Sequence, residues 1–168
     1  MTHISQVHTL AKQIGNKLKQ YRLLLATAES CTGGQLAQTI TSIPGSSAWF
    51  ERGFITYSPL SKQELLGVQA STLKRYGVAS QETAEEMAKG VLKKSPAHIS
   101  IAITGIAGPE GGTKENPVGT LYFAWAHSKP PYCKSCLQHF DNGERLTIRY
   151  AAVEFALKKL IPFISIAS

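Results

Sequence analysis

The segment Ala26-Thr-Ala-Glu-Ser-Cys-Thr-Gly-Gly-Gln35 constrains the fold of this chain more than any other stretch. It follows the apolar run Leu23-Leu24-Leu25, which is typical of a short buried strand, and residues 36–40 after it can continue as a helix. A strand, a turn with two glycines and a helix bring side chains and free main-chain N–H groups to the carboxyl edge of a sheet. The spacing alone fits a reactive turn, and it fits equally well a helix capped by Ser30 or Thr32.

The rest of the chain predicts helices that alternate with strands, followed by a pair of strands. Helices are predicted at about residues 5–20, 35–41, 60–66, 71–76, 81–94 and 143–160. Strands are predicted at about residues 23–27, 49–57, 98–104, 118–126 and 132–140, the last two as an antiparallel pair. This order predicts an α/β fold, a three-layer α/β/α arrangement with a mixed, mostly parallel sheet, in a single domain over residues 1–168.

The composition fits a chain with a packed core and excludes several other classes. Of the 168 residues, 43% are hydrophobic and 17% are charged, so the chain can bury a core. No apolar run reaches the roughly 18–20 residues of a membrane-spanning helix, so no membrane partner is expected. The N-terminus lacks a basic start followed by an apolar block, and three cysteines are too few for a disulfide scaffold. A cytoplasmic location is therefore predicted.

The formal net charge of +7 favours anionic partners. The basic residues are dispersed, and many fall near the carboxyl ends of predicted helices, where they complement the helix dipole. Because no run of basic residues interleaved with aromatics occurs, nucleic acid is not expected as a partner, and the charge is compatible with a small phosphorylated molecule without selecting one. The last helix carries apolar residues around much of its circumference, which predicts burial by the sheet and by a partner subunit in a homo-oligomer.

The candidate reactive groups all follow predicted strands. The Ser30 turn, the segment from Tyr57 to Lys62 and the loop that begins at Thr104-Gly105 are expected to meet at one edge of the sheet. A serine needs a base, and the five histidines are scattered, so Lys62 is the candidate base and Tyr57 a candidate to relay a proton or orient the lysine. Without a partner, Lys62 would be an ordinary solvated lysine. The main-chain N–H groups near Gly33 and Gly34 are the candidate donors to a developing oxyanion.

Two cysteine arrangements offer alternatives. Cys31 is a rival nucleophile beside Ser30, since a thiol is intrinsically more nucleophilic than an alcohol. The pair Cys133 and Cys136, with His139 three residues further on, suggests a metal site. On a strand, however, residues three apart point to opposite faces, so no metal is expected there.

Several separated motifs occur in one order between about residues 5 and 160. They are Ala28-Glu-Ser-Cys-Thr-Gly-Gly34, Pro44-Gly-Ser-Ser47, Gly53-Phe-Ile-Thr-Tyr-Ser58 with Lys62 and Leu65-Leu-Gly-Val68, Gly77-Val-Ala-Ser80, Thr104-Gly-Ile-Ala-Gly-Pro109 and Pro117-Val-Gly-Thr120. Together they resemble the CinA C-terminal domain family, whose stand-alone members include nicotinamide-nucleotide amidases of the PncC type.

The resemblance implies an amidohydrolase that deamidates nicotinamide mononucleotide to nicotinate mononucleotide and ammonia in pyridine-nucleotide salvage, without a metal or another cofactor. By similarity, Ser30 is the nucleophile and Tyr57 and Lys62 assist it. Substrate contacts are predicted at Thr32, Gly33, Gly34, Ser46, Thr104, Gly105 and Arg145.

The sequence departs from the family at Pro59-Leu60-Ser61, where family members often have Asn-Glu-Ala. Proline at this point can alter how the helix before Lys62 begins. The alternative function is therefore a catalytically weak CinA-like binding or regulatory module.

Overall fold

The computed structural model describes residues 3–141 and 143–165, without the side chains of His3 and Ile4. The predicted domain also included residues 1, 2, 142 and 166–168, which lie outside the described residues. The helices are α1 (His3–Tyr21), α2 (Gln35–Thr41), α3 (Pro59–Leu66), α4 (Ala70–Tyr76), α5 (Gln81–Lys94) and α6 (Arg145–Ile164). The strands are β1 (Leu25–Glu29), β2 (Phe50–Ile55), β3 (Ile99–Gly105), β4 (Thr120–His127) and β5 (Tyr132–His139). A short 3₁₀ helix at Ser46–Ala48 precedes β2.

The described strands form one sheet in the order β2-β1-β3-β4-β5. β1 runs parallel to both β2 and β3, whereas β4 is antiparallel to its neighbours β3 and β5. Within the described part of the chain, β4 is thus the one strand that runs against the others. This confirms the predicted mixed, mostly parallel sheet, and it confirms the antiparallel pairing of the last two strands.

Helices cover both faces of the sheet, which confirms the three layers. α1, α2 and α6 pack together on one face, where their apolar side chains meet alternate residues of the strands, such as Ile101 and Phe123. α3 and α4 pack against α5 on the other face, where β1, β3 and β4 present mainly alanines. Small side chains on that face allow α5 to approach the sheet closely.

Several element boundaries differ from the predicted ones, and two of these differences matter for the packing. β1 begins at Leu25 rather than at residue 23, because the Leu23 amide still donates to the Leu18 carbonyl of α1. α6 continues past residue 160 to Ile164 and is buried against α1, α2, β3 and β4. Burial within the chain therefore accounts for much of the apolar circumference of α6, which had been attributed in part to a partner subunit.

The topology places a crevice between the carboxyl ends of β1 and β2. The chain leaves β1 toward α2 on one face and leaves β2 toward α3 on the other. Connections that depart to opposite faces open a crevice outside the sheet edge, and ligands of open α/β sheets bind in such crevices. None of the helices in residues 3–141 and 143–165 is long and apolar enough to cross a membrane.

Candidate active site

Ser30 and Lys62 meet in the crevice. Ser30 directly follows β1, and its amide donates to the Ile103 carbonyl of β3 at 3.0 Å, which fixes the serine at the sheet edge. Lys62 lies on α3 and has no exposed surface. Its Nζ lies 2.9 Å from Ser30 Oγ, within hydrogen-bond distance. The structure thus brings together a buried amine and a hydroxyl that are 32 residues apart in sequence.

The unusual segment before Lys62 forms a regular helix start. Ser58 caps α3 by accepting from the Ser61 amide at 3.0 Å, and the Ser61 hydroxyl lies 3.1 Å from the Ser58 amide in return. This reciprocal pair is a capping box, and Pro59 occupies the first helical position, where a missing N–H is tolerated. The departure from the family pattern at residues 59–61 therefore leaves Lys62 directed at Ser30.

Two main-chain carbonyls hold the Lys62 amine. Nζ donates to the Thr56 carbonyl at 2.7 Å and lies 3.4 Å from the Tyr57 carbonyl. Burial lowers the pKa of Lys62 from 10.5 to about 8, because removing the amine from water disfavours its charged form. A considerable fraction of the amine is then neutral at mildly alkaline pH. A neutral amine can keep both carbonyl contacts and still accept a proton from Ser30.

The two glycines of the turn permit close contacts on both sides. Gly33 and Gly34 have positive φ angles of 59° and 96°, where other residues are strained. A Cβ on Gly33 would lie 3.1 Å from Arg149 Nη2, and a Cβ on Gly34 would lie 2.9 Å from Ile55 Cδ1. Glycine at both positions lets α6 and β2 close on the turn.

Glu29 holds the turn from inside, a role that the sequence reading missed. Its carboxylate is 1% exposed and accepts from the amides of Gly34, Leu36 and Ala37 at 3.1, 3.0 and 2.8 Å. The signal was present in the sequence, since an acidic residue directly precedes the turn and stands six residues before the start of the helix. Glu29 therefore occupies the N–H groups at the start of α2.

The free amides of the turn are not those predicted. The Gly33 amide donates to the Ser30 carbonyl at 3.0 Å, and the Gly34 amide donates to Glu29. Within residues 3–141 and 143–165, the amides of Cys31 and Thr32 donate to no carbonyl or carboxylate. The Thr32 hydroxyl is buried and also without a partner among these residues. Free main-chain donors beside Ser30 thus come from the residues directly after it.

The Tyr57 hydroxyl is bound to an arginine. It accepts from Arg145 Nη2 at 3.0 Å, while Arg145 Nη1 donates to the Gly108 carbonyl at 2.7 Å. The Tyr57 side chain is 62% exposed. The contact of Tyr57 with the lysine is therefore through its carbonyl, and Arg145 links the phenol to the loop that follows β3.

Three further predicted substrate contacts lie in different settings. The Thr104 side chain is buried, and its hydroxyl donates to the Val78 carbonyl at 2.7 Å. Gly105 ends β3, and a Cβ there would lie 2.5 Å from the Thr120 carbonyl, so this glycine permits the close start of β4. Ser46 lies before β2, at the edge of the sheet opposite Ser30, so the two serines do not meet within one chain. A sequence motif shows which residues are adjacent along the chain. It does not show at which edge of the sheet these residues lie.

The cysteines have buried or strand positions. Burial raises the pKa of the Cys31 thiol to about 12, so this rival nucleophile is protonated at neutral pH. Cys133 and Cys136 lie on β5 as free thiols. In the described part of the chain, no group of three or more His, Cys, Asp or Glu side chains is arranged to hold a metal ion.

The chain is similar to known proteins over most of its length. The family model described as the CinA C-terminal domain matches residues 7–164. The chain is 46% identical over 153 residues to the nicotinamide-nucleotide amidohydrolase PncC of Enterobacter agglomerans, covering 91% of this chain and 92% of that protein. It is 44% identical over 158 residues to the protein of the same name from Escherichia coli K12, covering 93% of each.

A solved structure has the same fold. The crystal structure of the competence/damage inducible protein CihA from Agrobacterium tumefaciens superposes with a TM-score of 0.91. The two sequences are 40% identical, and the match covers 94% of each chain.

Proposed function

The chain belongs to the CinA C-terminal domain family, and from this premise we propose that it is an amidohydrolase that converts nicotinamide mononucleotide to nicotinate mononucleotide and ammonia. The relatives named nicotinamide-nucleotide amidohydrolase support this substrate. The observation that carries the proposal is the 2.9 Å contact between Ser30 Oγ and the buried Lys62 Nζ. The reaction belongs to pyridine-nucleotide salvage, and we propose a cytoplasmic location for it.

Ser30 Oγ attacks the carboxamide carbon of the substrate while neutral Lys62 accepts the hydroxyl proton. Lys62 then donates this proton to the departing nitrogen, which leaves as ammonia, and the acyl group remains on Ser30 as an ester. Water attacks this ester, and Lys62 accepts a proton from the water and returns it to Ser30 Oγ. The nicotinate group leaves as the acid and gives its remaining proton to solvent to become the carboxylate. The contacts of Nζ with the Thr56 and Tyr57 carbonyls support this assignment, because they leave its third direction for Ser30.

The negative charge that develops on the carboxamide oxygen needs donors close to Ser30. We assign this role to the free amides of Cys31 and Thr32 in place of those of Gly33 and Gly34, which are already engaged. Main-chain donors that are fixed before the reaction stabilise such an oxyanion without reorganisation. Glu29 supports the arrangement by immobilising the helix that follows.

Tyr57 has two parts in the proposal. Its carbonyl helps to orient Lys62, and its exposed phenol, bound to Arg145, forms one wall of the entrance to the crevice. The net charge of +7 is consistent with a phosphorylated substrate. We retain the proposal of a homo-oligomer. It is supported by apolar side chains exposed near the crevice, such as Ile55, Leu60 and Leu146, and light scattering on the purified protein tests it.

The function is tested by ammonia release from nicotinamide mononucleotide, with the second product identified as nicotinate mononucleotide. Ser30→Ala is expected to abolish release. Ser47→Ala, which changes an exposed serine in the short 3₁₀ helix before β2, is the matched control and should retain it. A folded wild-type chain that releases no ammonia from this or related amides would overturn the proposal in favour of a binding or regulatory module.

A further inference from the structure

A depression of about 590 Å³ lies at the end of the sheet remote from Ser30. Its wall includes His127, the last residue of β4, which pairs with Ile99 at the start of β3. The Ser30 amide instead donates to the carbonyl of Ile103, four residues further along β3. A strand advances about 3.3 Å per residue, so about 13 Å of β3 separates the depression from the reactive crevice. A ligand in the depression therefore leaves the crevice free.

The depression has the size and the walls of a small-molecule site. Such sites usually have volumes of about 300–1,000 Å³ and mainly apolar walls with a few polar groups. Here α5 and the hairpin of β4 and β5 supply the apolar part, which includes Leu92, Ala126 and Pro131. Cys133 adds a thiol whose pKa is raised by burial to about 11, so the thiol is uncharged at neutral pH. A ligand that fills this space needs an apolar body.

The wall also carries positive charge. Lys89 and Lys93 stand four residues apart on α5 and therefore share a face of the helix. Lys89 is paired with Glu85 at 3.3 Å, whereas no carboxylate in residues 3–141 and 143–165 forms an ion pair with Lys93. The wall residues that the structure describes include no Asp or Glu. One ammonium group is thus left without a counter-charge, which suits a ligand with a single negative charge.

Ser128 supplies a neutral donor in the same wall. Its amide donates to the His98 carbonyl at 3.0 Å, and its Oγ lies 3.4 Å from the same oxygen. That distance is long for a hydrogen bond between two oxygens, so the hydroxyl loses little when it turns to a ligand. One ammonium group and one hydroxyl match the two oxygens of a carboxylate, and they are too few for a phosphate dianion.

We propose that the depression is a second ligand site, which binds a monocarboxylate with a compact apolar body. Lys93 and Ser128 donate to the carboxylate, and the body covers Leu92 and Cys133. The bond from Lys93 is charge-assisted and is therefore stronger than a neutral hydrogen bond, while burial of the apolar body adds to the affinity. The site shares no residue with the crevice, so it does not depend on the proposed function.

Calorimetric titration with cinnamate tests the site, with cinnamyl alcohol as an uncharged probe of similar shape. Wild type should bind the acid at least about tenfold more tightly than the alcohol, as expected for one charge-assisted hydrogen bond. Lys93→Met should remove this preference, and Ser128→Ala should weaken binding of the acid about threefold. Lys94→Met removes the next lysine at the same helix end but no wall residue, so this matched control should bind as wild type does.

Alkylation of Cys133 by N-ethylmaleimide locates the bound acid. In a Cys136→Ser chain, Cys133 is the half-buried thiol that remains, because Cys31 is buried. Cinnamate at ten times its Kd should slow the alkylation of Cys133 about tenfold, since only the free protein reacts. Mass spectrometry of the digested protein identifies the modified residue.

Three results would overturn the site: equal binding of cinnamate by Lys93→Met and wild type, equal affinity for the acid and the alcohol, or undiminished alkylation of Cys133. Dissociation of an oligomer on addition of cinnamate, measured by light scattering, would show that a second copy covers the depression and would also overturn it. In the amidase assay cinnamate should leave KM for nicotinamide mononucleotide unchanged, whereas a raised KM would place the probe in the crevice and refute the proposal. The titration needs no turnover, so the site can be supported even if the chain proves not to be an amidase.

Discussion

Replacing Lys62 by methionine is expected to abolish turnover and, near neutral pH, to stabilise the fold slightly. Methionine retains most of the length of the lysine stem and removes the amine that is buried without exposed surface. The variant thus exchanges a costly buried charge for an apolar group, while Ser30 and the Thr56 carbonyl lose a hydrogen-bond partner.

The magnitude follows from the pKa of Lys62. Its fall from 10.5 in the unfolded chain to about 8 in the fold corresponds to a cost of about 3 kcal/mol when the amine is charged in both states. The two lost hydrogen bonds offset about 1 kcal/mol each. At pH 7 the variant Lys62→Met should therefore be more stable than wild type by about 1 kcal/mol.

The pH dependence of this difference is the more discriminating quantity. Between about pH 8 and 10.5 the folded state binds fewer protons at Lys62 than the unfolded state does, so the stability of wild type rises with pH. Lys62→Met lacks this group, and its other titrations cancel in the comparison. Wild type should therefore gain about 2.5 kcal/mol relative to the variant between pH 7 and 10 and become the more stable protein.

Urea denaturation of both proteins at pH 7, 8, 9 and 10 measures this difference, with Lys12→Met as a control that removes an exposed lysine from α1. The control should show no comparable swing relative to wild type. A difference between wild type and Lys62→Met that stays constant from pH 7 to 10 would refute the argument, because Lys62 would then have the same pKa in the folded and unfolded chain.

Three further results are expected. The value of kcat/KM should rise through about pH 8 as Lys62 becomes neutral, and a profile without this rise would contradict its role as base. Cys31→Ala should keep most of the ammonia release and lose about 1 kcal/mol in urea denaturation, because only a buried thiol is removed, whereas loss of turnover would favour the thiol as nucleophile. Glu29→Gln should destabilise the fold by about 2 kcal/mol in the same assay, since an amide cannot accept from all three N–H groups at the start of α2, and unchanged stability would contradict that role.

The sequence predicted the fold and the meeting of Ser30 with Lys62 because both depend on local patterns. Strand and helix periodicity fixed the alternating elements, and residues that follow parallel strands meet at one edge. The proline before Lys62 was the uncertain step, and Ser58 and Ser61 form a regular capping box around it. The residues at the start of α3 were therefore sufficient to place Lys62 on a regular helix.

The partners of individual groups depended on contacts between distant segments. Nothing next to Tyr57 indicates that Arg145, 88 residues later, binds its hydroxyl. The glycine amides appeared free because the carboxylate that accepts from Gly34 comes from within the preceding strand. Hydrogen-bond satisfaction is a property of the packed structure, so the predicted oxyanion donors moved along the turn to Cys31 and Thr32.

The hydrogen bond from Arg149 Nε to the Thr32 carbonyl, 3.1 Å long, has a consequence for synthesis. The two residues are 117 positions apart, so at roughly 5–20 residues per second the ribosome adds the arginine some 6–23 s after the threonine. Ser30 enters the nascent chain just before that interval begins, and Lys62 enters during its first half. The growing polypeptide therefore holds both reactive groups well before the helix that supports their turn, and the crevice is completed only once α6 has been synthesised.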